Sequence, residues 1–319
     1  MTATTQAISA LKAEYPVHIL LAAASLPRTT YYDEIERQQR PDPDADLKGA
    51  IIAIFQQCRG IYGYRRIQGA LGKIGVVVSE KKVLKLMRDL GLKAVIRRKR
   101  YSSHKGEVGV VAQNGLNRQV KATAPNQKWV TDITQFKVHG HTLYLSAVMD
   151  LFDRQIIGHT VGPRPTVVFA NESLQQALLT VEEEKANLMV HSDQGFHYQH
   201  RSWQQLLHAA GATQSMSRKG NCYDNAVIES FFGHLKEEVF NHFSYQSVEE
   251  LTTAITNYIP WYNTERISTR LGKMSPVEYR TKMLAAEKGS QKESTFKSDN
   301  SGAVHPQTVV HPIIKPRCV

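Results

Sequence analysis

Three acidic residues stand where a phosphoryl-transfer site would need them. Asp132 interrupts an alternating run, WVTDITQF, Asp193 directly follows the apolar segment LMVHS, and Glu229 lies in the helix after the basic stretch SRKGN. Sixty residues separate the first pair and 35 the second. Spacing alone decides nothing, because each acid has a plain alternative: a solvent-facing strand residue, a turn former in SDQG, one more exposed helix acid. Placement carries more weight. An Asp within a strand, an Asp at the carboxyl end of another and a Glu at a helix start are positions from which three side chains converge at one sheet edge. Three oxygen ligands suit a hard cation, and two Mg²⁺ ions about 4 Å apart would activate a nucleophile and stabilise the leaving oxygen of a phosphoryl transfer.

The elements that must hold these acids follow from periodicity. KWVTDITQFKV (128–138) alternates and is rich in β-branched and aromatic residues, His139 and Gly140 make a turn, and TLYLSAVMD (142–150) and QIIGHTVG (155–162) read as further strands. A helix over 166–184, a strand over 188–192, a helix near 201–210 and a strand over 213–217 follow. Three strands in a meander and then alternating helix and strand imply an α/β unit, a mixed sheet covered by helices. From Asp224 to Met283 the pattern is wholly helical, with Pro260 and Pro276 as punctuation. Asp150 and Asp153 read as strand-end and turn residues, and Trp129, Trp203 and Trp261 as core.

Upstream, residues 1–40 form a helical segment read as two short helices, compatible with a helix-turn-helix. Residues 45–100 contain three more helices. The third is the best defined, with Ser79 at the N-cap, Val83, Met87 and Leu90 at helical spacing and Gly91 as a stop. Between Cys58 and Arg100 there are 13 Lys and Arg against Glu80 and Asp89, so this segment alone carries the chain's net charge of +11. Such a field suits a polyanion, since neutralised phosphates release counterions. Residues 101–121 read as a linker, 122–284 as the second domain with its C-terminal helices, and 285–319 as a polar, disordered tail.

Composition excludes several classes. Of 319 residues 41% are hydrophobic and 22% charged, which is globular composition. No run approaches the roughly 18 to 20 apolar residues of a membrane span. Cys58, Cys222 and Cys318 are odd in number and widely spaced, which supports neither a disulfide framework nor a zinc ribbon and fits a reducing cytosol. His191, His197 and His200 crowd around Asp193, yet HxxxxxHxxH without cysteines matches no common zinc pattern.

HSDQGFHY (191–198), SMSRKGNCYDNAVIESFFGHLKEE (215–238), WVTDIT (129–134), YGYRRI (62–67), VLKLMRDLGLKA (83–94) and NYIPWYNTERISTRLGKMSPVEY (257–279) together resemble the OrfB transposases of the IS-three family of bacterial insertion sequences. The resemblance covers most of the chain. It implies a ribonuclease H-like integrase catalytic core, a mixed five-stranded sheet with helices, preceded by the small helix-turn-helix-like DNA-binding domain. It implies Asp132, Asp193 and Glu229 as metal-binding catalytic acids with two Mg²⁺ ions, Mn²⁺ substituting. The family's basic residue seven positions after the Glu is Lys236, close to two helical turns on and on Glu229's face, where it would meet a phosphate. Asn225, on that face, is expected to contact DNA or cap the helix. Arg218 and Lys219 form a basic loop suited to backbone phosphate, and Ser192, Gln194 and Gly195 shape the site. Further DNA contacts are expected from Arg65, Arg66, Lys81, Lys82, Lys85, Arg97, Arg98, Lys99 and Arg100.

The resemblance further implies strand cleavage and transfer between element ends and target DNA, an upstream-frame partner, OrfA, or a fusion with it, and a homo-oligomer on DNA. A cytoplasmic, nucleoid-associated protein is expected. The rival expectations are a nuclease of the same fold, which would nick without joining, and a catalytically idle DNA-binding regulator.

Overall fold

The computed structural model describes residues 3–94, 112, 114–116, 121–181, 187–217 and 225–299, which fall into two compact units, Met1–Ala94 and Val95–Val319. The first unit is helical. Helices α1 (Ala3–Leu11), α2 (Val17–Ala23) and α3 (Arg28–Gln39) gather around Ile8, Leu21 and Tyr31. Two helices are expected here from sequence and three are found. Pro16 and Pro27 each stand directly ahead of a helix, where a ring that fixes φ and lacks an N–H starts a helix but cannot continue one. Helices α4 (Ala45–Gln57), α5 (Tyr64–Lys73) and α6 (Glu80–Asp89) bury Ile51, Ile67, Leu71, Val83, Leu86 and Met87. Ser79 caps α6 as expected, its hydroxyl accepting the Lys82 N–H at 3.2 Å.

The second unit is built on a five-stranded sheet. Strands β1 (Lys128–Val138), β2 (His141–Asp150) and β3 (Ile156–Gly162) form an antiparallel meander, while β4 (Met189–Ser192) and β5 (Thr213–Met216) continue from β1 in parallel, giving the order β3-β2-β1-β4-β5. The β1–β2 turn has two residues, His139 at φ 46° and Gly140 at φ 78°, the left-handed pair whose twist matches a tight hairpin. Period-two alternation splits the core. Val130, Phe136 and Val138 face α10 (Ala226–Leu235) and α11 (Val248–Thr264), whereas Trp129 faces α7 (Val167–Leu178), with α8 (Phe196–Gln199) and α9 (Arg201–Ala209) contributing Tyr198, Trp203 and Leu207 to the same layer. Helix α7 approaches β3 so closely that a Cβ at Gly158 would lie 2.1 Å from the Ser173 carbonyl oxygen, so only glycine fits there.

Several sequence expectations are corrected. Pro260 lies inside α11 without ending it. The buried Tyr258, Ile259 and Tyr262 around it supply packing that outweighs the lost backbone bond. The stretch 224–283 is not uniformly helical: α10 runs into a π-helical turn, Lys236–Phe240, and a 3₁₀ turn spans Thr269–Leu271. Leu116, assigned to a linker, is fully buried against the α10–α11 layer; a lone leucine has no periodicity to announce it. Helix α12 (Pro276–Asp299) extends past residue 285, where disorder was expected. AAEKGSQKES is rich in strong helix formers, so a helix already begun continues through it. No described helix is long and apolar enough to cross a membrane.

Candidate active site

The sheet register places the two candidate aspartates. In the parallel β1–β4 ladder Lys128 pairs with Met189, Trp129 with Val190 and Val130 with His191. Two residues beyond the last pair, at the same offset, stand Asp132 and Asp193. They line one open cleft of ≈ 240 Å³ together with Thr134, Tyr144, His197 and Tyr198. Asp132 lies in the middle of β1, half-buried on the face that carries Val130 and Phe136, and its Oδ1 accepts the Ile133 N–H at 2.7 Å. Asp193 is exposed just past β4, its Oδ1 accepting the Gly195 N–H at 2.9 Å.

Electrostatics joins the third acid to this pair. Burial first, the Asp193 charge next and the Glu229 charge more weakly push the Asp132 carboxyl up to about 8, against the Ile133 N–H and Lys236, which pull it down. Glu229 itself is exposed in the first turn of α10, its N–H bonded to the Asn225 carbonyl at 3.0 Å. It does not line the cleft, and among the described residues no three His, Cys, Asp or Glu side chains stand together as a ready metal-ligand cluster. The structure therefore brings Asp132 and Asp193 together and leaves Glu229 one electrostatic step away.

Lys236 closes α10. Its ammonium stands 5.5 Å from the centre of the Phe136 ring, half-buried, where burial lowers its pKa and the Asp132 charge opposes that shift. The π turn that follows, in which the Asn241 N–H donates to the Lys236 carbonyl at 2.7 Å, swings Glu238 inward. Glu238 accepts from Arg266 Nε at 2.7 Å, from Arg266 Nη2 at 2.5 Å and from the Tyr258 hydroxyl at 2.8 Å, all buried. This anchor carries no periodic signal and was not foreseen.

Tyr198 is the other unforeseen neighbour of the acids, although it closes the HSDQGFHY segment. Its ring packs edge-on against Trp203 at 4.9 Å, and burial, then the charges of Asp132 and Asp193, raise its pKa well above the ordinary value, so the phenol stays a proton donor. The three histidines near Asp193 have separate tasks. His191 Nδ1 meets Ser215 Oγ at 2.8 Å, the His197 ring bonds the Pro165 carbonyl, and His200 Nδ1 caps α9 by accepting the Ser202 N–H at 3.1 Å.

Asn225 occupies the cap position of α10 but makes no side-chain cap bond, and at 4% exposure it is hidden from a ligand in this conformation. Of the basic residues, Arg65, Lys81 and Lys85 are exposed, Arg65 with its Nε 3.7 Å from Glu80. Arg66 lies 5.5 Å from the Tyr62 ring centre, and Lys82 is ion-paired with Asp44. Arg97, Arg98, Lys99, Arg100, Arg218 and Lys219 lie outside the described residues.

A mixed sheet in this order, with helices on both faces and paired acids at neighbouring strand positions, defines an α/β ribonuclease H-like integrase core. The Integrase core domain family matches residues 122–222, a second family of that description matches 229–284, and an HTH-like domain family matches 42–100. The chain is 45% identical over 273 residues, 86% of its own length and 96% of the relative's, to InsK of insertion sequence element IS150 from Escherichia coli (strain K12). It is 32% identical over 281 residues, 86% and 97% of the two lengths, to the transposase InsF for insertion sequence IS3A of the same organism. A solved HTLV-2 integrase catalytic core domain in complex with magnesium shares 15% identity, covering 50% of this chain and 98% of that one at a TM-score of 0.39. The chain belongs to the IS-three family of insertion-sequence transposases. It is an enzyme of DNA transposition, a polynucleotidyl transferase, and DNA is its partner.

Proposed function

We propose that this transposase cleaves element ends and joins them to target DNA at a site built from Asp132, Asp193 and Glu229. The supporting observation is the field at Asp132, a half-buried carboxyl pushed up to about 8 by burial and by two further acids. A group in that position ionises readily only beside added positive charge, and an all-oxygen donor set of acids fits a hard divalent cation. Asp132 and Asp193 would hold Mg²⁺, or Mn²⁺ in its place, with Glu229 completing the set for two ions. Bound there, a divalent ion would lower the pKa of the attacking hydroxyl or water and stabilise the leaving oxygen.

The chain's own residues do the rest. Lys236, beside Asp132, neutralises a DNA phosphate next to the scissile one, and the Glu238–Arg266 anchor holds the turn on which it sits. Tyr198 walls the cleft with a group that stays neutral. A 3′-hydroxyl or water oxygen attacks phosphorus, one P–O bond forms as another breaks, and the attacking proton is lost as the leaving oxygen gains one. No covalent protein intermediate is involved. Arg65, Arg66, Lys81, Lys85, Arg97, Arg98, Lys99, Arg100, Arg218 and Lys219 contribute phosphate contacts, the protein works as a homo-oligomer with OrfA or a fusion supplying end recognition, and it acts in the bacterial cytoplasm at the nucleoid.

The test is incubation of the purified chain with supercoiled plasmid and Mg²⁺ or Mn²⁺, beside Asp193→Asn. Metal-dependent nicked and joined products that vanish in the variant are expected. Products that persist in Asp193→Asn overturn the site, and nicking without joining overturns strand transfer in favour of a nuclease.

A further inference from the structure

We propose that α2 and α3 form a second duplex-reading element, in which the outward face of α3 lies against base edges. It is separate from the basic helices α4–α6 and from the chemistry at Asp132 and Asp193, and it lies ahead of the matched HTH-like stretch.

The connection between the helices comes first. Past Ala23, the Ala24 N–H bonds the Leu20 carbonyl at 3.0 Å, the Ser25 N–H that of Ala22 at 3.1 Å, and the Leu26 N–H reaches back to Leu21 at 3.0 Å. Ser25 sits at φ 50°, the left-handed residue that such a helix stop requires. Four residues, 24–27, then lead straight into α3. A turn of this length is the one a helix-turn-helix uses, and in that motif the second helix is the one that reads DNA.

Packing then fixes which way α3 faces. Tyr31, 3% exposed, is seated among Ile8 and Leu21 with its hydroxyl 3.2 Å from Ser9 Oγ. At about 100° per residue, Thr29, Tyr32, Asp33 and Glu36 fall on the side away from Tyr31. All four are exposed, and the Arg28 guanidinium lies 5.5 Å from the Tyr32 ring centre. Arginine matches the guanine edge, an aspartate accepts from the cytosine amine, and a threonine methyl suits that of thymine.

Charge explains a division of labour. Glu34 is paired with Arg37 at 2.9 Å and Glu36 with Arg40, the residue just past the helix, at 3.2 Å, so two of the three acids of α3 have a cation beside them. The surplus positive charge lies instead between Cys58 and Arg100. Phosphate contacts from that segment supply affinity without sequence choice, and a nearly neutral α3 adds choice without much affinity.

The test uses the full chain in EDTA, where strand chemistry is silent and its outcome is irrelevant. A pool of random-sequence duplexes is enriched on the wild type, and the selected duplex is compared with a scrambled one. Arg28→Ala/Thr29→Ala is expected to lower the preference for the selected duplex on the order of ten- to a hundredfold. Lys85→Ala is expected to weaken both duplexes alike. A pool that stays random, or a preference unchanged in the double variant, overturns the proposal, including the case in which this face docks a protein. Thermal melting checks the fold, and Asp33→Asn gives the same readout if the double variant melts early.

Discussion

Asp132 and Asp193 share the offset of the parallel β1–β4 ladder: the 61 positions that relate the paired Val130 and His191 also relate the two acids, two residues past the ladder's last pair. Their separation in sequence is thus the length of chain that leaves β1, forms β2, β3 and α7, and returns beside it. Their separation in space is set by adjacent strands.

Gly195 keeps Asp193 in place. A Cβ there would come 2.9 Å from Asp193 Oδ1 and 3.4 Å from the Tyr198 ring, while the Gly195 N–H is the carboxylate's donor. Gly195→Ala is expected to slow DNA cleavage on the order of a hundredfold by displacing one acid, with little change in melting temperature. Single-turnover cleavage of a labelled duplex, read beside a thermal melt, checks it; wild-type rates would remove the positioning role.

Arg266 neutralises Glu238 in the core. Arg266→Met leaves a buried carboxylate without its cation and is expected to cost about 3–5 kcal/mol. Arg266→Met/Glu238→Leu, which removes both charges, is expected to recover most of that loss. Urea denaturation of both variants decides the matter, and equal losses would show that the ion pair is not the reason.

Asp150 sets a pH dependence of stability. Burial first, then the Asp153 charge, raise its carboxyl to about 6, against two backbone N–H donors and Arg280. The folded state then holds a proton that the unfolded chain, with an ordinary value of about 3.9, has released. Between those values the native form binds more protons, so this contribution is present at low pH and is lost as pH rises toward 6. Asp150→Asn is expected to change the stability difference between about pH 4.5 and 7 by about 2 kcal/mol in favour of the higher pH. Identical pH slopes for the two proteins would contradict this.

The lysines of α6 divide by partner. Lys81 and Lys85 are exposed, whereas Lys82 is tied to Asp44 at the start of α4. Lys81→Ala and Lys85→Ala are each expected to reduce the salt dependence of DNA binding by about one ion. Lys82→Ala is expected to leave that slope nearer wild type and instead loosen α6 from α4. Fluorescence anisotropy titrations over a salt series distinguish the outcomes.

Local signals carried much of this molecule. Alternation in KWVTDITQFKV marks β1 from Lys128 to Val138, His139 and Gly140 mark its hairpin, and Ser79 and Gly91 bracket α6, because each depends on a few adjacent residues. The same alternation placed Asp132 within a strand, and the short apolar run LMVHS placed Asp193 at the end of another. Tertiary structure alone decided what those acids meet. Arg280 reaches Asp150 across 130 positions, Arg266 reaches Glu238 across 28, and Tyr198 turns toward Asp132 only because β4 returns beside β1. Pro260 was misread for the same reason: its local preference ends a helix, and the core around Tyr258 and Tyr262 keeps it going. Periodicity records which face of an element is buried; it holds no record of which distant side chain is buried against it.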